Sequence, residues 1–571
     1  MRAVAGPSSP RAPGLLTAFG ALSGVFLGLT IVKFGNPVIL DRLIEPPSTL
    51  LEYLFQPWPV AWGYALLAAL AGLGVWAIRG RLTLPSRFAL LPAVWLAWQF
   101  VAGLGTIDTR LTAVTLMHFT AGVAGFYLGL FALAKVQRMA ACWAGLLVGF
   151  LVMLWTGFGQ HYGGLEATRD FVLGSPLFAP GHIRDSSGFA QRLVKHSDPV
   201  SVALWERLPE GTRQALATVG AGSALAGSTE TNLVAALNQL IEGPSLYRAD
   251  RFAGVTLSYE SRGLVDQSAR GDRLVRLNRL LLEDVYPAHV PSYHVISKPD
   301  WRPLAPEHLK RINSDRIFGT LLYPNTLAGA LLLLGPVMGM VTWRLAGWLT
   351  PVTRSVLVGL VGYCSLACLF WSGSKAGWLI ALGTLLAYGF HLPFQRSLKL
   401  ALAGVVLVAG LAGFFWKFSH YFARGATSVG ARFEYWSAAW KTALEHPGLG
   451  TGPGTFSVAY RKLKPPEAEM AMLTHNDYLE QASDSGWVGA VLYLGFVGGA
   501  LVRLHPKCRG EPMRLAVWLG LLAWALQGLT EFGAYIPAIA WVAFWLLGWL
   551  WGQPAPQQPV LNPFDRAMPR R

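Results

Sequence analysis

The chain has 571 residues, of which 53% are apolar and only 14% charged, well below the quarter usual for a soluble domain. The apolar residues gather in runs of about 18 to 25, the length a helix needs to cross a hydrocarbon core, which argues against a soluble enzyme built of amphipathic helices. The formal net charge of +16 raises nucleic acid as a partner, but the placement of that charge, set out below, argues against it.

A Pro-rich tail, residues 1–14, precedes the first run at 15–32. Arg2 and Arg11 stand before that run as in a signal peptide, but it is long and no small-x-small cleavage site follows, so it reads as a retained helix. Further runs at 60–78, 88–104, 111–134 and 139–157 complete an N-terminal bundle of five helices over 15–157. Residues 158–319 then form an insert of domain size. It reads as mostly helical: Ser228, Thr229 and Glu230 lead into Leu233, Leu237 and Leu240 before Gly243–Pro244, and Leu274, Leu277, Leu281 and Val285 make one stripe over 272–286. His289 and His294 within it read as surface histidines. Runs at 320–343, 353–371, 376–392 and 398–416 form a second bundle, 320–416. Residues 417–484 are a second loop outside the membrane, and runs at 485–502, 515–530 and 534–551 close the chain before a Pro-rich tail, 552–571. The expected fold is therefore an all-α integral membrane protein of about twelve spans with two large extracytoplasmic segments.

Charge supports that alternation. With the N-terminus cytoplasmic, the cytoplasmic segments hold eighteen basic residues, from Arg2 to Arg571, against Glu511 and Asp565. The remainder of the chain is balanced, so the whole net charge falls on alternate loops, the positive-inside pattern. Of four cysteines, Cys142, Cys364 and Cys368 lie in runs and Cys508 in a cytoplasmic loop, which indicates no disulfide framework.

The segment 431–484 carries the densest pattern. Phe433, Trp436, Trp440 and Leu444 recur at helical spacing, with Arg432, Ser437, Lys441 and Glu445 opposite, as in a helix lying in the membrane interface with its aromatics towards lipid. The run PGLGTGPG follows, and Gly450 and Gly452 within it allow either a flexible turn or close backbone approach to a ligand. In THNDYLEQASDSG, Thr474 is the expected N-cap with Asp477 as the acid of a capping box, which puts His475 and Asn476 in the first turn of a helix. A helix N-terminus favours anions such as diphosphate, and a histidine there suits a general base, with Asp477 or Glu480 orienting its ring. A surface histidine at a helix start is the plainer reading of spacing alone. Elsewhere, Arg316 and Asn325 flank the sixth run in SDRIFGTLLYPNTLAG, and Lys375 sits in the tight turn of WSGSKAGW, where it either snorkels or meets a phosphate. Ionisable residues within the runs are few, His118 being the clearest and Glu531 lying near an outer end; this counts against an ion-coupled transporter.

In this order, RIFGTLLYPNTLAG, WSGSKAGWL, RFEYWSAAWKTALEHPGLGTGPGTF and THNDYLEQASDSGWVGAVLYLGF resemble the O-antigen ligase superfamily, which includes O-antigen ligases, O-antigen polymerases and bacterial protein O-oligosaccharyltransferases. The resemblance covers roughly residues 315–550. It implies a glycosyltransferase in the bacterial inner membrane that takes a glycan from undecaprenyl diphosphate to an acceptor hydroxyl on the outer face, without metal, nucleotide or other cofactor. Lipid A–core is the leading acceptor, with protein and growing glycan as alternatives. By the same resemblance His475 activates the acceptor, while Arg432, Arg316 and Lys375 hold the donor diphosphate; Asn325, Asn476, Asp477, Glu480, Gly450 and Gly452 support them. Lys375 departs from the family pattern, which has Arg after that Ser, and offers a point charge in place of a bidentate fork. A flippase or a non-catalytic envelope scaffold is the competing class.

Overall fold

The computed structural model describes residues 13–44, 46–78, 83–166, 315–423, 427–465 and 470–554. The two tails and the helices expected over 228–243 and 272–286, with His289 and His294, lie outside the described residues or almost wholly so. The chain divides into two units, Met1–Phe158 with Phe318–Arg571, and Gly159–Ile317. Of the second unit, the described residues are Gly159–Glu166, with a π turn at Gln160–Gly164, and Asp315–Ile317.

In the first unit every regular element among the described residues is helical: α1 (Pro13–Lys33), α2 (Leu50–Phe55), α3 (Val60–Ala77), α4 (Leu91–Gly103), α5 (Thr109–Phe131), α6 (Ala140–Gly159, whose last residue falls in the second unit), α7 (Pro324–Leu345), α8 (Pro351–Ser372), α9 (Lys375–Gly389), α10 (Arg396–Ala423), α11 (Thr427–Glu445), α12 (Phe456–Leu463), α13 (Asp477–Leu494), α14 (Ala500–Cys508), α15 (Pro512–Gln527) and α16 (Pro537–Gly552), with a few 3-10 turns between them. Among the described residues eight helices are long and apolar enough to cross a membrane, and α4, α9, α15 and α16 are shorter. The protein is a multi-pass helical membrane protein.

Helix starts follow local chemistry. Pro324, Pro351, Pro512 and Pro537 each open a helix, where a missing N–H costs nothing and the fixed φ fits. Asp108, Thr350, Ser374 and Glu511 cap α5, α8, α9 and α15 through their side-chain oxygens. α16 is buried along its whole length from Pro537 to Trp551 and forms the centre of the bundle. α5 meets it through Gly125, where a Cβ would fall 2.3 Å from the Trp545 ring.

Two departures from the sequence reading bear on the site. The run expected at 485–502 belongs to one continuous helical stretch, Asp477–Cys508, which passes a non-helical step at Gly486 (φ 69°) and a π turn at Gly495–Gly499. The helix expected in the interface, α11, does expose Phe433, Trp440 and Leu444. It also has a buried face of Tyr435, Ala438, Ala439 and Ala443, most of which packs with Phe456 and Tyr460 of α12 and with Ala471. Three of the four residues on that face are alanines, which add little to an apolar stripe in the sequence.

Candidate active site

Four segments converge on one carboxylate. Glu531 stands in the turn between α15 and α16, with 6% of its surface exposed. Its Oε1 accepts hydrogen bonds from Asn325 Nδ2 (2.6 Å), in the first turn of α7, and from the Arg432 guanidinium of α11. Its Oε2 lies 3.1 Å from His475 Nδ1. A nearly buried carboxylate is costly unless its lone pairs are met, and here two cationic or polar donors and an imidazole meet them.

That arrangement sets the histidine. A neutral imidazole next to a carboxylate donates from the nitrogen facing it, so Nδ1 carries the proton and Nε2 keeps its lone pair. The ring packs against two aromatics, stacked with Tyr435 (centroids 5.9 Å apart, planes at 26°) and T-shaped with Phe532 (4.7 Å). The Trp436 indole N–H reaches the His475 carbonyl at 3.4 Å. Among the described residues, His475 (φ 54°) and Leu322 (φ 60°) are the two non-glycine residues with positive φ; the first is a partner of Glu531 and the second stands three residues before another, Asn325. Such backbone is paid for by its surroundings and is common at functional sites.

The helix start differs from the sequence expectation. Asn476, and not Thr474, is the N-cap of α13: its Oδ1 accepts from the N–H groups of Tyr478 and Leu479, both at 3.0 Å. His475 therefore sits just before the helix and not in its first turn. Asp477 and Glu480 do not orient its ring; Glu531 does. Both acids are buried and hold backbone instead. Asp477 accepts from the Ala534 N–H (3.1 Å) while its own N–H donates to Gly528 O (2.7 Å), which ties α13 to the turn bearing Glu531. Glu480 Oε2 accepts from the Thr474 N–H (2.7 Å), which anchors the residue before the histidine.

The glycine run is exposed at residues 447–449 and closely packed from Gly450 onward. Gly450 (φ 66°) and Gly452 (φ 108°) have left-handed backbone, and a Cβ on them would fall 2.3 Å from the Asp484 carbonyl carbon and 2.2 Å from Thr106 Oγ1. The run is stitched to α13 by Thr451 N–H to Ser483 O (3.1 Å), Gly452 N–H to Asp484 O (2.8 Å) and Gly454 N–H to Asp484 Oδ2 (2.6 Å). It sets how α11 and α13 meet.

Lys375, at the start of α9, places its ammonium 3.7 Å from the centre of the Tyr421 ring. The Tyr421 hydroxyl is bonded to Ser428 Oγ (2.6 Å), one helical turn before Arg432 on α11. Arg316 belongs to the other unit, where it is half-buried. His118 is a core residue: its Nε2 lies 2.8 Å from Ala534 O, and its Nδ1 accepts from Trp541 Nε1 at 3.1 Å.

Glu531, Tyr435 and Phe532 are the parts that the sequence reading did not assign. Glu531 had a signal: it is the only charged residue between Arg514 and Asp565, and an isolated ionisable group in an apolar stretch is by default a functional candidate.

Helices apolar enough to cross a membrane and a nearly buried carboxylate that holds both an arginine and a histidine mark a multi-pass membrane protein with a polar cluster built into it. The family described as O-Antigen ligase matches residues 360–494 and supports membership of the O-antigen ligase superfamily. The matched region contains Lys375, Arg432, Gly450, Gly452 and the stretch His475–Glu480, and it ends before Glu531. No curated protein matches the chain.

Proposed function

We propose that the protein moves a glycan from undecaprenyl diphosphate to an acceptor hydroxyl on the outer face of the bacterial inner membrane, with lipid A–core as the acceptor. In this reading all twelve apolar helices cross the membrane and both termini are cytoplasmic. The Glu531 centre and the 158–319 insert then face outward, clear of the cytoplasmic nucleotide pool.

The observation that supports it best is the Glu531 carboxylate shared by His475 and Arg432. His475 Nε2 takes the proton of the acceptor hydroxyl as that oxygen attacks the anomeric carbon. The bond from that carbon to the diphosphate oxygen breaks, and the diphosphate leaves with the bonding electrons. Arg432 devotes one of its nitrogens to Glu531 and has further N–H donors for the developing negative charge. Glu531 holds the ring and stabilises the imidazolium once the proton has arrived. Lys375 adds a point charge for the diphosphate from the start of α9, and Arg316 is proposed to serve the same donor.

The test is expression in a strain that lacks its own copy, with surface glycan resolved by gel. Wild type restores glycan on lipid A–core, and His475→Ala, at equal protein level, does not. A His475→Ala band equal to wild type sinks the assignment. Glycan found on protein or on longer glycan instead redirects the acceptor to an O-oligosaccharyltransferase or polymerase activity.

A further inference from the structure

A large cavity lies away from His475. It measures about 690 Å³, within the range of about 300 to 1,000 Å³ typical of small-molecule sites. It lies among α7, α8, α9 and α15, where Leu331 to Trp343 of α7 line it. At about 1.5 Å per residue these positions stand about 9 to 27 Å along α7 from Asn325, so the cavity occupies the half of the bundle remote from Glu531.

Sequence creates the space. α8 and α9 leave one tight turn at Gly373 and Ser374, and small residues then line the wedge between them and α7: Gly335, Gly362, Ser365 and Ala381 among them. A Cβ built on Gly335 or on Gly362 would meet no atom within 4 Å. Pro336, within α7, removes the N–H that would meet the carbonyl of Leu332, another lining residue. The wedge opens sideways: Leu366, Leu385 and Tyr388 line it while 64%, 54% and 45% exposed. On helices that cross a membrane those side chains face hydrocarbon.

Its far rim is cationic. Arg509 and His391 line it. Arg509 is exposed and donates to His505 Nδ1 at 3.4 Å, and the two histidines meet at Nε2 (3.0 Å). Arg354 lies over the ring of Trp343, a lining residue, and Lys399 donates to the carbonyl of Phe390, next to His391. The acid on this rim, Glu511, is paired with Arg344. A basic pocket between spanning helices, apolar within and open to the bilayer, suits an anionic amphiphile.

We infer that this cavity binds one anionic phospholipid, with an acyl chain in the wedge between α8 and α9 and its phosphate at Arg509. The experiment uses the full-length protein in detergent, incubated with an equal mixture of phosphatidylglycerol and phosphatidylcholine and read by native mass spectrometry. Wild type keeps phosphatidylglycerol in preference to phosphatidylcholine. Arg509→Gln lowers that preference by about fivefold, the worth of one cation near a lipid headgroup. Gly335→Phe and Gly362→Phe fill the wedge from two different helices, and each loses both lipids while keeping the wild-type melting temperature in lipid-free detergent. Equal retention of the two lipids by wild type, an unchanged preference in Arg509→Gln, or undiminished retention in both filled variants overturns the inference. Because the readout is binding, the outcome is independent of any transferase activity.

Discussion

In the proposed transfer Glu531 decides the chemistry, because one carboxylate holds both the proton acceptor and a cation. Its Oε2 fixes the His475 tautomer and its Oε1 holds Arg432 and Asn325. Replacing it with Gln keeps the shape and removes the charge, so the ring loses the partner that requires the proton on Nδ1. We expect Glu531→Gln to lower kcat by about 100-fold with little change in KM, within the range of about 10² to 10⁴ for lost acid–base catalysis. Glu531→Asp is expected to recover part of that loss, and steady-state kinetics on the purified protein reads both. An unchanged kcat in Glu531→Gln would show that the carboxylate only packs. Arg432→Lys keeps a charge but not the planar fork that meets the developing negative charge, and its expected signature is a fall in kcat larger than its effect on KM for donor. These residues were unevenly legible. His475 and Arg432 stand in dense local patterns and became candidates through the resemblance to the O-antigen ligase superfamily. Glu531 is 56 positions beyond His475, in a turn between two apolar runs, and its partnership is a product of the fold.

At the scale of elements, the joint between the PGLGTGPG run and α13 carries the site's geometry. Gly450 has φ 66° and would set a Cβ 2.3 Å from the carbonyl carbon of Asp484, a backbone contact that no side-chain rotation can relieve. Gly450→Ala is therefore expected to destabilise the protein by about 1 to 3 kcal/mol, from positive-φ strain and overpacking together. A melt in detergent checks it, and a melting temperature equal to wild type would mean that the joint yields. The element scale also shows where periodicity falls short. Of the twelve apolar runs expected to cross the membrane, eight coincide with helices of the described residues that are long and apolar enough to do so, because length and hydropathy are local quantities. The cap of α13 was misplaced by two residues, since Thr474 and Asn476 are both good caps and only the hydrogen bonds separate them. The buried face of α11 was missed because alanines carry it.

For the whole molecule, the organising feature is the distribution of charge along the chain. A net charge of +16 confined to alternate loops predicts one topology, and a single additional or missing span would invert everything after it. Reporter fusions after Arg571 and within the 158–319 insert test that expectation: the first is expected to report cytoplasm and the second the outer face. Both on one side would require a recount of the spans. The large apolar cavity belongs to this scale as well, since it depends on four helices and on the small residues each contributes. No local pattern announces such a space.

Glycan transfer from a polyprenyl diphosphate at the Glu531 centre is tested by placing the purified protein in vesicles with a labelled glycan on undecaprenyl diphosphate and with lipid A–core, and following label on the acceptor over time. Wild type is expected to transfer label, His475→Ala and Glu531→Gln to do so at a rate at least about 100-fold lower, and both variants to melt normally. Transfer by either variant at the wild-type rate, or none by wild type with any hydroxyl acceptor, would contradict the proposed transfer.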